Sequence, residues 1–531
     1  MFKQIGTMAL TAVLAVAFLT SCGSSKPKVT LPTGSLVTLV SDMPGPCDLV
    51  SFPMNVTDLS LVGPSSNGQT FVATTPINSA SVSEPEIRIN LTCLRDFTTV
   101  LNTNTANVGT YDNAYITLSE PQMTFFDPTI LPPSFPINTA QLTMVPLRLT
   151  SLPVNPPLVI SKNSASVLQL DFDMLHMIQS MTIDPTTQKL LVSATPQITF
   201  TPVTAAGSEG QGFGEVDDLV GFVRSVTVPP PVSLTLYNGS FNLQLLSASI
   251  SSAPLLTVNL NSSSQIYGFS NLNQLYTNSF MEVDGYFDVN GNFVATSAED
   301  EYTEIISCPP NQPGCVPSEV PILAIIGPVT SVTRDSHGNV TSFNLWARDV
   351  EPNDAAALEL DTIPVVNVST STIYQYSSRS VNFANLPFGP SNISVGQEVI
   401  VHGLVIPPSG SSGSGAPTLP TTVTAYKVYD KLQSVQGGFS SLIQVAGDDR
   451  TGAFAFSPCP VMFQGTPAIV LTSSQTTFVN LTGLSSLTAQ GGNTTLLVKG
   501  LPFYQAQAQT IEGVAVPAGT LVILAKQVHK L

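Results

Sequence analysis

Charge is what this chain has least of. Only 10% of its 531 residues are Asp, Glu, Lys or Arg, against roughly a quarter in ordinary soluble domains. A folded surface must therefore be covered largely by Ser, Thr, Asn and Gln. Basic residues are the scarcer class, 18 against 35 acidic, for a formal net charge of −17. No basic run exists beyond Lys26 and Lys28. The electrostatic footprint of a nucleic-acid partner is missing, so no nucleic acid is expected. Histidine is also rare. His176, His337, His402 and His529 are scattered, and none of the six cysteines forms a Cys-x-x-Cys pair. No metal or other cofactor is expected. No Gly-x-Ser-x-Gly elbow has a histidine in a suitable setting, and no glycine-rich phosphate loop joins a strand to a helix. The chain reads as a non-enzyme with no catalytic residues.

Long helical periods are absent from the mature segment. What is present is a series of short runs rich in Val, Ile, Thr, Leu and Phe, broken by 43 prolines and 36 glycines. Ser35–Val40, Glu86–Leu91, Ala114–Leu118, Leu190–Phe200 and Val399–Ile406 all read as strands. Asn290-Gly291 and Gly338-Asn339, each flanked by alternating apolar residues, read as hairpin turns. Two short helices are predicted. One is Cys93–Asn102. The other is Asp173–Met181, where Met174, Met177, Ile178 and Met181 recur at helical spacing and form core. Hydrophobic content of 43% supplies several cores, and the length predicts three or four domains at about 150 residues each. The fold class expected is all-β.

The N-terminus carries a tripartite pattern. Lys3 precedes an apolar run of about fifteen residues, Ile5 to Leu19, short for a bilayer span of roughly 20. Leu19-Thr20-Ser21-Cys22 then closes it. This resembles the bacterial lipobox. The resemblance implies cleavage before Cys22, a diacylglycerol on its thiol, and a membrane partner bound through that lipid. Two acyl chains hold a protein stably where one binds marginally. Gly23 stands where an aspartate would favour retention in the inner membrane, so the localisation expected is the cell envelope, at the outer membrane. Residues 22–34 read as a lipidated tether after a signal peptide, 1–21. With Cys22 lipidated, five cysteines remain. Export permits disulfides. Cys308 and Cys315 bracket the turn-rich CPPNQPGC loop and are expected to pair, as are Cys47 and Cys93. Cys459 is left over as a buried apolar thiol.

Three segments of about 105 residues repeat one order of elements. They open at Gly221 (GFVRSV), Gly327 (GPVTSV) and Gly437 (GGFSSLI). A small-polar run then leads to an aromatic: SSSQIYGF from Ser262, STSTIYQY from Ser369, TSSQTTFV from Thr472. A strand ending at Gly285, Gly403 or Gly500 follows, then a closing strand from Val294, Thr422 or Leu521. About six short strands per copy can close a small barrel without exposed edges. The layout resembles the family called domain of unknown function 5666, an oligonucleotide-fold-like barrel of exported bacterial proteins. Ahead of the repeats, Leu168-Gln169-Leu170-Asp171-Phe172-Asp173 resembles the closing strand of the domain of unknown function 4382, found in bacterial lipoproteins. Neither resemblance implies a catalytic residue. The organisation expected is an N-terminal β-sandwich-like domain, 35–202, followed by three antiparallel β-barrel repeats at 215–306, 322–432 and 433–531.

Acidic and aromatic residues are the remaining candidates for chemistry. Asp171 and Asp173 alternate on one strand and read as a strand end capping the next helix. Asp288-Val289-Asn290-Gly291-Asn292 mimics the start of a calcium loop but lacks its helical exit, and reads as a turn. Glu299, Asp300, Glu301 and Glu304 read as a solvated strand end, and Asp448-Asp449-Arg450 as a turn. His337 falls in a turn and His402 in a strand. Trp346 is expected in the core or rim of the second barrel. Tyr374 and Tyr376, at i and i+2, are read as exposed and able to stack a sugar. The function expected is structural or binding, toward an envelope protein or polysaccharide. The alternative is a carbohydrate-binding or carbohydrate-active surface lipoprotein, which as a glycosidase would need two carboxylates in an aromatic cleft.

Overall fold

The computed structural model describes residues 32–63 except 44 and 47, 71–74, 87–94, 98–126, 137–203 except 163, 213–228, 239–245, 255–288 except 276 and 278, 292–300, 323–351, 358, 362–376, 386–406, 421–459, 463, 465–488 and 494–531. The fold is all-β. No helix among these residues is long and apolar enough to cross a membrane.

The N-terminal domain is organised around one nine-stranded sheet. Its strand Thr33–Met43 pairs in parallel with Ala165–Asp173 and antiparallel with Thr98–Asn107. The segment SLVTLV is apolar almost throughout because both of its faces are covered. Leu36 and Val40 join Leu168, Phe172 and residues of two small three-stranded sheets in one core. Val37 and Leu39, alternating to the other face, pack with Val167 against the first barrel.

Both predicted helices shrink here. Leu91–Leu94 forms a single 3-10 turn, after which Thr98–Asn107 is a strand. Met174–Met177 is one helical turn capped by the Asp173 carboxylate, and the chain then runs extended over Ile178–Ile183. Met174 and Met177 are core, but Met181 is 42% exposed. All four residues satisfied the helical period, yet pairing of Ile178–Ile183 with Leu190–Ala194 overrode it for Ile178 and Met181.

Three barrels follow with one topology. In barrel 1 the strands are Phe213–Thr227, Gly239–Leu245, Leu255–Leu260, Phe280–Phe287 and Phe293–Asp300. In barrel 2 they are Leu323–Arg334, Val340–Leu345, Val365–Asn367, Glu398–Ile406 and Thr422–Asp430. In barrel 3 they are Gln433–Val445, Gly452–Pro458, Ala468–Thr472, Thr495–Gln505 and Thr520–Lys530. Each time the strands pair in the order 1-2-3-5-4-1, with strands 3 and 5 parallel. This is the closed arrangement of oligonucleotide-fold-like barrels. A short extra strand, Gln265–Tyr267, Ile373–Tyr376 or Thr477–Val479, adds in parallel to strand 5.

The repeated residues have repeated jobs. A Cβ on the opening glycine would meet a carbonyl oxygen in or just after strand 2 of the same barrel: Gln244 at 2.5 Å from Gly221, Trp346 at 1.7 Å from Gly327, Ser457 at 2.3 Å from Gly437. The second glycine sits at a register shift between strands 4 and 5, after Asp284, His402 or Lys499. The small-polar run ends in a hydroxyl that bonds the closing strand. Ser264 Oγ donates to the Ala295 carbonyl (2.6 Å), Thr372 Oγ1 to Ala425 (2.9 Å) and Thr476 Oγ1 to Ala525 (2.8 Å). The same oxygen accepts the N–H of the residue three earlier: Asn261, Ser369 or Ser473.

Candidate functional site at the barrel joints

The domains meet through buried surfaces, and these hold most of the unusual polar groups. At the first joint, Phe222 and Phe280 of barrel 1 pack with Ala324, Ile326, Ile400 and Tyr429 of barrel 2. The Phe280 ring meets His402 edge-on at 5.4 Å, and His402 lies 5.3 Å from Tyr429. Lys427, cross-strand partner of His402, places its Nζ 4.1 Å from the Tyr429 ring centroid, a cation–π contact. His402 is fully enclosed. Burial first, and the Lys427 charge second, push its pKa down to about 3, so it is a neutral ring at ordinary pH. On barrel 1, Glu282 follows Phe280 at i+2 and pairs across the sheet with Glu299. Trp346 forms a third contact, packed with Val50 and Phe126 of the N-terminal domain. Beside it, Arg348 and Glu398 form a buried ion pair.

The second joint is shorter and tighter. Only Lys431 and Leu432 separate barrels 2 and 3. Leu501, Phe503, Ile511, Val514 and Val516 of barrel 3 share the core of barrel 2. Gln397 Nε2 donates to the Pro502 carbonyl (2.7 Å), and Asn392 Nδ2 to that of Tyr504 (3.0 Å). Arg334 donates to the carbonyls of Gly338, Ser391 and Ile393, while its guanidinium stacks 4.6 Å from the Tyr504 ring centroid.

The residues singled out in the sequence are dispersed. Tyr374 and Tyr376 are not an exposed platform. Both pack on Phe388, their hydroxyls are buried, and burial drives both pKa values up, that of Tyr374 to about 12. Trp346 is buried in a domain contact, so it offers no sugar-stacking face. Glu299 and Asp300 are buried rather than solvated: Glu299 pairs with Glu282 on the face that carries Phe280 toward barrel 2, and Asp300 alternates to the side of Met281, in barrel 1's own core. Glu301 and Glu304 lie outside the described residues, as do Asn290 and Gly291. Asp171 accepts the Ser41 hydroxyl (2.9 Å) and Asp173 the His176 amide (3.1 Å). Asp288 accepts the Asn292 amide across its hairpin (2.8 Å). Asp335 accepts the amides of His337 and Asn339 in the turn that holds His337, and these bonds keep its carboxyl below the usual range. Asp448 accepts the amides of Arg450 and Thr451. Cys22, Cys47, Cys308 and Cys315 lie outside the described residues, as does the side chain of Cys93. Cys459 is buried. Among the described residues no group of three His, Cys, Asp or Glu is placed to hold a metal ion.

Known proteins add a single family. Residues 255–299 match the model of the Domain of unknown function (DUF5666). That segment spans strands 3 to 5 of barrel 1, including the Ser264 hydroxyl and the Gly285 register shift. No curated protein matches the chain. One solved structure, drosophila Unr CSD456, is similar over 59% of this chain and 97% of its own, at 9% identity and a TM-score of 0.13.

Proposed function

We propose that this is a lipid-anchored cell-envelope protein with a structural or binding role and no catalytic activity. It hangs from the outer membrane through a diacylglycerol on Cys22, and its N-terminal domain is of the kind called domain of unknown function 4382. The observation that carries the reading is the use to which the polar groups are put. Gln397 and Asn392 bond carbonyls of barrel 3 and Arg334 stacks on its Tyr504, holding one domain against another instead of lining a cleft, while the Arg348–Glu398 pair is closed within barrel 2. Barrel 1 packs on the N-terminal sheet, barrel 2 touches both, and barrel 3 shares the core of barrel 2. Such a body keeps a fixed form and presents a wide Ser/Thr/Asn-rich surface to an envelope protein or polysaccharide. The test is fractionation of cells carrying Cys22→Ala, followed by screening the soluble variant against envelope glycans and proteins. Release of the variant from the membrane, with retention of the wild type, is expected. A variant that stays in the membrane fraction, or purified protein that turns over a glycan, would refute the proposal.

A further inference from the structure

Asp430 is a buried ionisable group that domain docking leaves unused. It ends strand 5 of barrel 2, with only Lys431 and Leu432 between it and the start of barrel 3. It has no exposed surface, and neither carboxylate oxygen receives a hydrogen bond. By strand alternation it shares the core face with Val428, whereas Lys427 and Tyr429 occupy the other face, with Lys431 following in the same alternation. Among the described residues, the elements packed against it bring it no positive charge. The parallel strand Ile373–Tyr376 sets Tyr376 opposite it, with a hydroxyl that is likewise unbonded. Strand 4 sets Val399 opposite it, and the next residue, Glu398, is paired with Arg348. The Gln397 side chain lies beside it and favours the ionised form, though less than burial disfavours it, and its amide nitrogen is also engaged by the Pro502 carbonyl. The position recurs. Asp300 of barrel 1 lies opposite Met281 as Asp430 lies opposite Val399, and barrel 3 has Lys530 opposite Leu496.

We propose that Asp430 is a protonation lock on the joint between barrels 2 and 3. Its neutral acid lets the joint close, and its ionised form loosens it. A carboxylate without a cation or donors in an apolar core is strongly disfavoured, and burial holds the Asp430 pKa well above the carboxylate range. Because the folded-state value is raised, its stabilisation is complete below the ordinary carboxylate pKa and is lost as pH rises through the folded value.

The test compares the full-length wild type with Asp430→Asn, which keeps the shape and cannot ionise. The ratio of the two folding equilibrium constants, variant over wild type, should rise with pH, approaching tenfold per unit between the two pKa values. Protection of the Lys431 amide, which donates to the Glu398 carbonyl at 2.9 Å, should fall in the wild type relative to the variant over the same range. A pH-independent ratio, or equal Lys431 protection in both proteins, would overturn the lock. Infrared spectroscopy of the wild type gives a reading that needs no variant. A protonated-carboxyl band should persist above the pH range in which ordinary exposed carboxyls lose theirs, and its absence would overturn the proposal even if Asp430→Asn did not fold.

Discussion

Barrel 3 opens with two adjacent glycines whose surroundings are opposite, which isolates the reason for the repeated glycine. A Cβ on Gly437 would lie 2.3 Å from the Ser457 carbonyl oxygen, 2.6 Å from Phe456 Cζ and 2.8 Å from Pro458 Cα. Around Gly438 nothing lies within 4 Å of the same atom. Gly437 is paired on both sides, with Pro458 and with Leu496, so the strand cannot move away without opening a ladder. Overpacking of this kind costs about 1–3 kcal/mol, and a disrupted ladder bond adds about 1 kcal/mol. Gly437→Ala should therefore destabilise the protein by roughly 2–4 kcal/mol. At about 2–4 °C per kcal/mol for a unit of this size, the barrel 2–barrel 3 transition should fall by roughly 4–16 °C in scanning calorimetry. Gly438→Ala removes only unfolded-state freedom and should be neutral or stabilising by up to about 1 kcal/mol. Equal effects of the two substitutions, or a neutral Gly437→Ala, would refute the close-approach explanation.

The other predictions concern named side chains. Thr476→Val removes the bond to Ala525 and leaves the Ser473 amide without its acceptor, so urea unfolding should show a loss of about 1–3 kcal/mol. Arg334→Met removes donors from three carbonyls and the stack on Tyr504. It should lower the barrel 2–barrel 3 transition by an amount equivalent to about 2–4 kcal/mol, discounted from a fully buried case because the group is half-buried. His402 has a folded-state pKa depressed to about 3, so its contribution is present above the ordinary value of about 6.5 and is lost as pH falls from there toward 3. His402→Gln should flatten that acid-side slope in a pH series of unfolding curves, and an unchanged slope would show that the ring is not the group responsible.

Much of the barrel architecture was legible because each barrel carries its own local rules. Opening glycines, hydroxyl runs and bulge glycines recur in order, and the pairing they specify lies within about a hundred residues. The Ser264, Thr372 and Thr476 hydroxyls were visible as a small-polar run, but their acceptors on the closing strand appear only with the register. The joints were not legible. Tyr374, Tyr376 and Glu299 alternate like surface residues; the tyrosines are covered by Phe388 from a later loop of the same barrel, which no local period announces. Arg334 and Gln397 carry no motif, since a guanidinium holding three carbonyls depends on how the 386–397 loop packs against barrel 3. Met181 kept a helical spacing that a strand partner outweighed, and Asp430 differs from any strand-end acid only by its burial.

The anchor is the most direct point of attack on the proposed function. Intact-mass and N-terminal peptide mass spectrometry of the protein purified from its native envelope decides it. A mature chain beginning at Cys22, heavier by a diacylglycerol and with the preceding 21 residues gone, is the result expected. A chain that retains Leu19-Thr20-Ser21, or that begins elsewhere with Cys22 unmodified, would contradict it.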